Sequence, residues 1–388
     1  MLPETTGWPR AYPRTALEEC TLSISRNRVR ALSALGVLTA GTALAGAVLT
    51  APAQAATTTA PQYTLTITRD AVQSQETSFF GINNNGDIIG TAPESGGLTQ
   101  EAFLLRAGST TMQFLGSPGD PGNAHSAARP AGINATDGVA GSSESTTNGM
   151  TTPLLWPNSS TPTNLGTLPG LSSLLNPQAT AINDSNLIAG YGTHSGEKPF
   201  TVQGSTVTML PLLPNGGVDG LPAGINGSGV IVGQADTTTS DPVAVEWQNG
   251  TIKPLGMLPG SFTSDALAVN GSGEAVGASV SSSDGDAHAV LFANGTVTDL
   301  NAPGTGGPDA DAQANAINNS GVIVGNGGNG DAFIYQNGQA TDLNNLIAPG
   351  SGFTLITADG INNNGDIVGT AVSSVRNATF GYELTPVG

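Results

Sequence analysis

Apolar and polar positions repeat in one pattern seven times along the chain. Each copy has a small residue, Ile or Val, Asn, a short polar turn, two apolar residues and a closing Gly eight positions after the Ile or Val. Successive copies start 43 to 51 residues apart. The copies occupy residues 81–90, 132–141, 181–190, 224–233, 268–277, 316–325 and 360–369. Such regularity predicts one structural unit that is used seven times.

Each copy predicts a β-hairpin, because two apolar segments flank a tight turn. The fourth residue after the Ile or Val is always Gly, Asn or Asp, the types that tolerate a left-handed backbone. These residues are Gly86, Asp137, Asn186, Gly229, Gly273, Gly321 and Gly365. We expect the Asn after the Ile or Val to cap this turn with its side chain. Contact with a ligand is the alternative role.

Two further strands follow each hairpin. The third strand is short and often aromatic, at residues 102–105, 154–156, 200–202, 245–247, 288–292, 332–335 and 380–382. Asn-Gly pairs at 249–250, 294–295 and 337–338 mark the turn to the fourth strand. Trp156 and Trp247 fall on third strands, so we expect them in the core rather than against a sugar. No convincing helix is predicted after residue 55.

Four strands in about 45 residues are typical of one β-propeller blade. The sequence therefore predicts an all-β fold, a seven-bladed propeller of four-stranded blades, with residues 56–388 as its single domain. The seventh copy ends after its third strand, while an alternating strand at residues 63–68 precedes the first copy. We expect this N-terminal strand to complete the last blade and close the ring. A linear β-solenoid is the alternative.

The repeats resemble a bacterial extracellular repeat family that is named for its His-Ala-Phe (HAF) tripeptide. The Ile-Asn-x-x-Gly-x-Ile-Val-Gly segments and the Leu-Gly-x-Leu-Pro-Gly endings at 165–170 and 255–260 carry the resemblance, which covers residues 79–382. The tripeptide itself is degenerate here, as in His288-Ala289-Val290. The resemblance implies secretion and a propeller-like fold, and it implies no reaction.

The N-terminal region predicts export. Three arginines between residues 26 and 30 precede an uncharged apolar stretch at 31–50, and Ala-Gln-Ala at 53–55 fits a cleavage site. We therefore predict a signal peptide at residues 1–55 and a secreted, extracellular protein without stable membrane insertion. An uncleaved anchor is the alternative. The single cysteine, Cys20, lies in this segment, so no disulfide or thiol chemistry is expected in the remainder.

Charge narrows the class of partner. The chain has a formal net charge of −18, with 11 Lys and Arg against 29 Asp and Glu. Such a chain repels a polyanion, so nucleic acid is not an expected partner. An acidic surface of this kind mainly gives solubility, and we expect a monomer.

Variable loops indicate where a ligand would bind. The second-to-third and fourth-to-first connections share one face of the disc, which we call the long-loop face, and they differ from copy to copy. The residues four positions before each Ile or Val should ring the channel mouth there. They are Ser78, Arg129, Gln178, Leu221, Asp265, Gln313 and Thr357. His125 and His194 lie in loops of the same face. A solvated rim without a ligand is the alternative.

Few titratable groups could support catalysis. The histidines His125, His194 and His288 lack metal-ligand spacing. A propeller glycosidase needs two carboxylates across its substrate; only Asp265 and Asp359 fall near the predicted channel, and neither is obviously paired. Asp-x-Asp pairs at 284–286 and 309–311 match no EF-hand loop, so solvated loops are favoured over calcium sites. We therefore expect no catalytic residue, metal or cofactor.

These observations favour a binding protein over an enzyme. The expected function is a non-catalytic binding propeller, with an extracellular protein or glycan at the long-loop face around the channel. The alternative is an extracellular polysaccharide hydrolase or lyase on the same scaffold. A purely structural envelope protein is a third interpretation.

Overall fold

Seven antiparallel sheets, one for each copy of the motif, form a β-propeller of four-stranded blades, as predicted. The computed structural model describes residues 62–68, 76–93, 100–117, 127–145, 149–158, 161–214, 217–237, 241–304, 311–376 and 378–388. The predicted signal peptide at residues 1–55 and His125 lie outside these residues. We number the blades 1 to 7 in the order of their motifs.

Within blades 1 to 6 the four strands pair in chain order. The strand β1, Tyr63–Ile67, precedes blade 1. Blade 1 contains β2 Ser78–Ile82, β3 Ile88–Pro93, β4 Gln100–Leu105 and β5 Met112–Phe114. Blade 2 contains β6 Ala127–Ile133, β7 Gly138–Glu144, β8 Thr151–Pro157 and β9 Thr163–Asn164. Blade 3 contains β10 Leu175–Ile182, β11 Leu187–Thr193, β12 Glu197–Gln203 and β13 Thr206–Met209.

Blades 4 to 7 continue the same order. Blade 4 contains β14 Gly220–Ile225, β15 Ile231–Asp236, β16 Pro242–Gln248 and β17 Thr251–Gly256, and blade 5 contains β18 Ser261–Val269, β19 Ala275–Ser281, β20 Ala287–Ala293 and β21 Thr296–Asp299. Blade 6 contains β22 Gln313–Ile317, β23 Ile323–Asn326, β24 Ala332–Gln336 and β25 Gln339–Asp342. Blade 7 contains β26 Phe353–Leu355, β27 Gly360–Ile361, β28 Ile367–Ser373 and β29 Thr379–Pro386. Two short 3₁₀ turns occupy Leu165–Thr167 and Leu343–Asn345.

The N-terminal strand closes the ring, as predicted. β1 lies antiparallel to β29, and the register runs from Tyr63 opposite Pro386 to Ile67 opposite Tyr382. In blade 7, β26 and β27 together take the place of the first strand, since both pair with β28. Blade 7 therefore obtains its outer strand from the N-terminal side of the propeller and its other strands from the C-terminal side.

The predicted turns have the backbone that their residue types require. All seven residues at the fourth position after the Ile or Val have positive φ, from 59° at Asn186 to 88° at Gly365. At the hairpin tip of blade 4, φ is 50° at Asn249 and 73° at Gly250. Two positive values in succession are typical of the tight hairpin turn that Asn-Gly favours.

The closing Gly of the motif accommodates a bulge in the first strand. In blades 1 to 6 the register between first and second strands shifts at the residue two positions before the Ile or Val. In blade 7 the first strand is interrupted at the same place. A Cβ at any closing Gly would clash with the carbonyl oxygen of the residue four positions before the Ile or Val, as at Gly233 with Leu221. Glycine is therefore required there for steric reasons.

The motif asparagines cap their turns and also join the blades. Each Oδ1 accepts hydrogen bonds from the backbone N–H groups two and four positions later, so the capping prediction is confirmed. Each Nδ2 also donates to the backbone carbonyl of the corresponding Asn in the next blade, at 2.9 to 3.3 Å. The bonds run through Asn83, Asn134, Asn183, Asn226, Asn270, Asn318 and Asn362 and return to Asn83. We call this closed circle the asparagine ring; the sequence did not predict it.

The core lies between neighbouring blades. Trp156 and Trp247 are 0% and 1% exposed, which confirms their predicted place in the core. Their indole N–H groups donate to Gly116 O and Pro211 O of the preceding blade at 2.7 and 2.8 Å. Each blade therefore buries its large side chains only when its neighbour is present. Within the part of the chain that the structure describes, no helix has the length and apolar character needed to span a membrane.

Candidate functional site

The first strands of the blades surround the axis of the propeller. They contact one another in sequence around the ring, and β27 of blade 7 contacts β2 of blade 1. The bulged residue of each first strand is exposed or partly exposed although its strand is innermost. Its side chain therefore faces the axis rather than the core. These channel residues are Phe80, Ala131, Thr180, Ala223, Leu267, Asn315 and Asp359.

The predicted ring residues occupy equivalent positions, two residues nearer the long-loop face than the channel residues. They are Ser78, Arg129, Gln178, Leu221, Asp265, Gln313 and Thr357, one from each blade. Two of them have a structural role at the bulge. Asp265 Oδ1 accepts from Ala278 N at 2.8 Å, and Thr357 Oγ1 accepts from Thr370 N at 3.0 Å. A ligand-binding role for the ring stays a prediction.

A polar cluster lies on the channel side of blades 6 and 7. We call it the Asp359 cluster; it comprises Asn315, Asn326, Thr357, Asp359 and Tyr382. Asn315 Nδ2 donates to Asn326 Oδ1 at 3.1 Å and to the carbonyl oxygen that precedes Asp359 at 3.0 Å, and it lies 3.4 Å from Asp359 Oδ1. Thr357 Oγ1 donates to Asp359 Oδ2 at 2.5 Å. The Tyr382 hydroxyl donates to Thr357 O at 2.7 Å, which fixes the backbone beside the carboxylate.

Burial dominates the electrostatics of this cluster. It raises the pKa of Asp359 to about 7, and the hydrogen bond from Thr357 opposes the rise only in part. Burial, followed by the charge of Asp359, raises the pKa of Tyr382 well above its usual value. The ion pairs among the described residues belong to Arg106 and His288, and none includes Asp359. Among the described residues, the Asp359 carboxylate is therefore held by neutral donors.

The second carboxylate near the axis has a different environment. Burial raises the pKa of Asp265 to about 6, while the hydrogen bond from Ala278 N opposes the rise. The side-chain hydrogen bonds of Asp265 and Asp359 lead to different partners, in blade 5 and in blades 6 and 7 respectively. The two carboxylates are therefore held separately, and no hydrogen bond between described residues joins them into a catalytic pair.

The histidines do not form a nucleophilic site in the described part of the chain. His194 is exposed in the connection between β11 and β12. His288 Nδ1 lies 3.0 Å from Asp299 Oδ2, and Ser279 is directly opposite His288 in the neighbouring strand. This set resembles a Ser-His-Asp triad in composition only, because Ser279 is 0% exposed and its Oγ accepts from Leu258 N at 3.0 Å. A buried hydroxyl used in this way cannot reach a substrate.

The acidic loops have ordinary structural contacts. Asp284 is exposed and accepts from Asp286 N at 3.2 Å within a turn. Burial, followed by the charge of Asp219, raises the pKa of Asp236 to about 6. Within the described ranges, no group of three or more His, Cys, Asp or Glu side chains is arranged to hold a metal ion.

Three members of the Asp359 cluster, Asn315, Asn326 and Tyr382, were missed by sequence analysis. Asn315 and Asn326 belong to blade 6 and meet Asp359 only through the packing of blades 6 and 7. Tyr382 belongs to blade 7, where its hydroxyl donates to Thr357 O. The sequence does carry a weak signal for Asn315. It and Asp359 place an amide and a carboxylate at a position where the other five copies have Phe, Ala, Thr, Ala and Leu.

Comparison with known proteins establishes the fold. No family model matches the chain, and no curated protein does. The β-propeller domain of the Trilobed protease from Pyrococcus furiosus is 10% identical, with 80% of this chain and 95% of that chain covered and a TM-score of 0.51. A prolyl endopeptidase is 8% identical, with 81% of this chain and 50% of that chain covered and a TM-score of 0.52. YCF48 bound to D1 peptide is 10% identical, with 84% and 97% covered and a TM-score of 0.47.

These comparisons overturn the expected function. Sequence analysis favoured a non-catalytic propeller that binds a protein or glycan at the long-loop face, with a polysaccharide hydrolase or lyase as the alternative. That expectation is wrong, since the matching structures include peptidases, a prolyl endopeptidase among them. The motif residues serve turns, bulges and the asparagine ring, so they carry no information on the ligand. This chain spans half the length of the prolyl endopeptidase, and at such low identity the likeness extends to the fold alone.

Proposed function

We propose that this protein takes a peptide into its axial channel and serves peptide hydrolysis, with the hydrolytic residues supplied by a separate catalytic domain or chain. The observation that carries the proposal is the Asp359 cluster, which presents a carboxylate and an amide to the channel. No convergent nucleophile, base and acid set occurs among the described residues, so the hydrolytic step is assigned elsewhere.

The chemistry of the channel residues suits an extended peptide. Each peptide residue offers one backbone N–H and one C=O group that need partners when they leave water. Thr180, Asn315 and Asp359 supply polar groups at the channel, and Phe80 and Leu267 supply apolar contact for side chains. Two propellers that match with a TM-score above 0.5 come from a protease and a prolyl endopeptidase, which supports peptide as the class of ligand by analogy.

The proposal extends to location and family. The N-terminal pattern described above supports export after removal of residues 1–55, and the seven motifs support membership of the HAF repeat family. Mass spectrometry of the protein recovered from a culture medium would test the first point. A mature N-terminus near Ala56 is expected, whereas full-length protein retained in the cell fraction would contradict export.

Blocking the channel tests the proposed function. Ala131 is an exposed channel residue, and Ala107 is an exposed residue in the turn between β4 and β5 of blade 1, on the face opposite the long-loop face. We expect Ala131→Trp to weaken the binding of fluorescently labelled peptides by tenfold or more, because the indole fills the channel, and Ala107→Trp to leave it unchanged. Fluorescence anisotropy on the full chain with a mixed-sequence peptide library measures both. Absence of peptide binding, or equal binding by the two variants, would contradict the proposal.

A further inference from the structure

We infer that the Asp359 cluster binds the protonated α-amine of a peptide N-terminus, with the first side chain of the peptide against Phe80. This inference rests on the proposed function and specifies which part of the peptide the channel recognises. It follows from four observations on the cluster and its neighbour in blade 1.

The repeat supplies an internal control for the charge at position 359. The other six blades form the same bulge and fill the equivalent position with the uncharged residues Phe80, Ala131, Thr180, Ala223, Leu267 and Asn315. The fold therefore does not need a carboxylate there. Asp265 differs from Asp359, because Asp265 has a structural role: it accepts a hydrogen bond from the backbone of the second strand. Thr357 makes the equivalent bond in blade 7. Asp359 has no such equivalent.

The carboxylate at Asp359 lacks a counter-charge within the described ranges. Its hydrogen-bond donors are the neutral Thr357 hydroxyl and the neutral Asn315 amide. A carboxylate in a desolvated site with neutral donors is costly to ionise, and a cation at the open side of the group removes that cost. The raised pKa of Asp359 agrees with this environment.

The cluster holds the carboxylate in a fixed orientation. Tyr382 anchors the carbonyl of Thr357 at 2.7 Å, and Thr357 in turn donates to one carboxylate oxygen. Asn315 is anchored by Asn326 and lies near the other oxygen. A carboxylate oxygen can accept two hydrogen bonds, and each oxygen of Asp359 has one donor among the described residues, so both retain acceptor capacity toward the channel. An ammonium group has three N–H donors to place against such acceptors.

Phe80 lies on the strand next to Asp359. The first strands of blades 7 and 1 approach closely, since a Cβ at Gly360 would lie 3.1 Å from the Cα of Gly81. Phe80 is partly exposed, unlike Phe79, which is 0% exposed. An aromatic side chain and a carboxylate on adjacent strands of one channel suit an amine with a neighbouring apolar side chain, because an aromatic ring attracts both a cation and an apolar group. A divalent metal is a poorer match, since one carboxylate with neutral neighbours is a weak ligand set.

A pair of peptides tests the inference on the full chain. The probes are a fluorescently labelled Leu-Ala-Ala-Ala-Lys peptide with a free N-terminus and the same peptide with an acetylated N-terminus. We expect the wild-type protein to bind the free form at least tenfold more tightly. Asp359→Asn should abolish this preference and leave the affinity for the acetylated form unchanged. The matched control Glu76→Gln, at an exposed carboxylate, should keep the preference.

The outcomes separate the two proposals. Equal binding of the two peptides by the wild-type protein overturns the amine site and leaves the proposed function standing, whereas no binding of either overturns both. Loss of the preference on addition of calcium chloride would identify a metal site instead and would also overturn the inference. If Asp359→Asn does not fold, as judged by thermal melting, the peptide pair with wild-type protein alone decides.

Discussion

The substitution Asn226→Asp tests whether the asparagine ring stabilises the propeller. Asn226 Oδ1 accepts from Ser228 N and Val230 N at 3.1 and 3.0 Å, and Asp can keep both bonds. Asn226 Nδ2 donates to Asn270 O at 2.9 Å. Asp would instead place a carboxylate oxygen against this carbonyl oxygen. The change therefore breaks one bond of the ring while the turn cap stays in place.

The expected loss in free energy of unfolding is about 2–4 kcal/mol. Loss of the hydrogen bond itself costs about 1 kcal/mol, because Asn270 O still accepts from Gly273 N at 3.1 Å. The buried carboxylate oxygen that faces this carbonyl oxygen without a donor adds about 1–3 kcal/mol. Asn226 is only 6% exposed, so water cannot substitute for the lost donor. A protonated carboxyl group regains an O–H donor. The penalty should therefore be small at acidic pH and grow as the pH rises through the pKa of the new group.

Urea unfolding followed by circular dichroism at pH 4 and pH 7.5 measures this loss. The matched control is Asn249→Asp, at an exposed hairpin tip with a φ of 50° that Asp tolerates. Both variants add the same charge, and only Asn226→Asp affects the ring. If the two variants differ by less than about 0.5 kcal/mol at pH 7.5, the ring bond does not stabilise the protein and the reasoning fails.

Three further predictions concern single side chains. The pKa of Asp359 is raised from 3.8 to about 7, so ionisation lowers wild-type stability as the pH rises between these values. Asp359→Asn should therefore gain about 1–2 kcal/mol in free energy of unfolding, relative to wild type, between pH 4 and pH 8. The full pKa shift corresponds to roughly 4 kcal/mol, which is discounted because channel water screens the carboxylate. Urea midpoints that follow the pH as those of Glu76→Gln do would contradict this. Gly233→Ala should lose about 3 kcal/mol or more in free energy of unfolding, because its Cβ meets a backbone carbonyl. The control Gly227→Ala, at a position with open space, should lose less than about 1 kcal/mol. Equal melting temperatures of the two variants would refute the steric argument. Arg106→Met should lose under about 1 kcal/mol in free energy of unfolding, because the ion pair of Arg106 with Asp137 is partly exposed. Salt screens such a pair, so a loss that persists in 1 M salt would exclude this electrostatic cause.

Features set by neighbours along the chain could be predicted from the sequence. Gly229 has the positive φ expected from its place in the motif, and Asn249-Gly250 forms the expected tight turn. Closure by the N-terminal strand was also predictable, because counting strands left one blade incomplete and one strand without a partner. Each of these conclusions needs only residue type, spacing and the rule that strands require partners.

Features set by the packing of separate blades could not be predicted. The Nδ2 of Asn226 donates to Asn270, 44 residues away, and this contact depends on the angle between two sheets. The bulge lies within one blade, but it too depends on how two strands pair, so the reason for the closing Gly appears only with its clash against a carbonyl of the first strand. The function was predicted wrongly because the repeated residues specify the scaffold, and the residues that differ between blades have no common pattern to interpret.

Ring closure and the candidate site depend on the same residue. Tyr382 lies in β29, opposite Ile67 of the closing strand on one side and Gly369 on the other. Its buried ring packs in one cluster with side chains of β1, while its hydroxyl holds the carbonyl of Thr357 beside Asp359. If β1 separates from β29, Tyr382 loses the packing that directs its hydroxyl, and the carboxylate loses its fixed position. The amine site is therefore complete only in the closed propeller, so peptide binding and ring closure should stabilise each other.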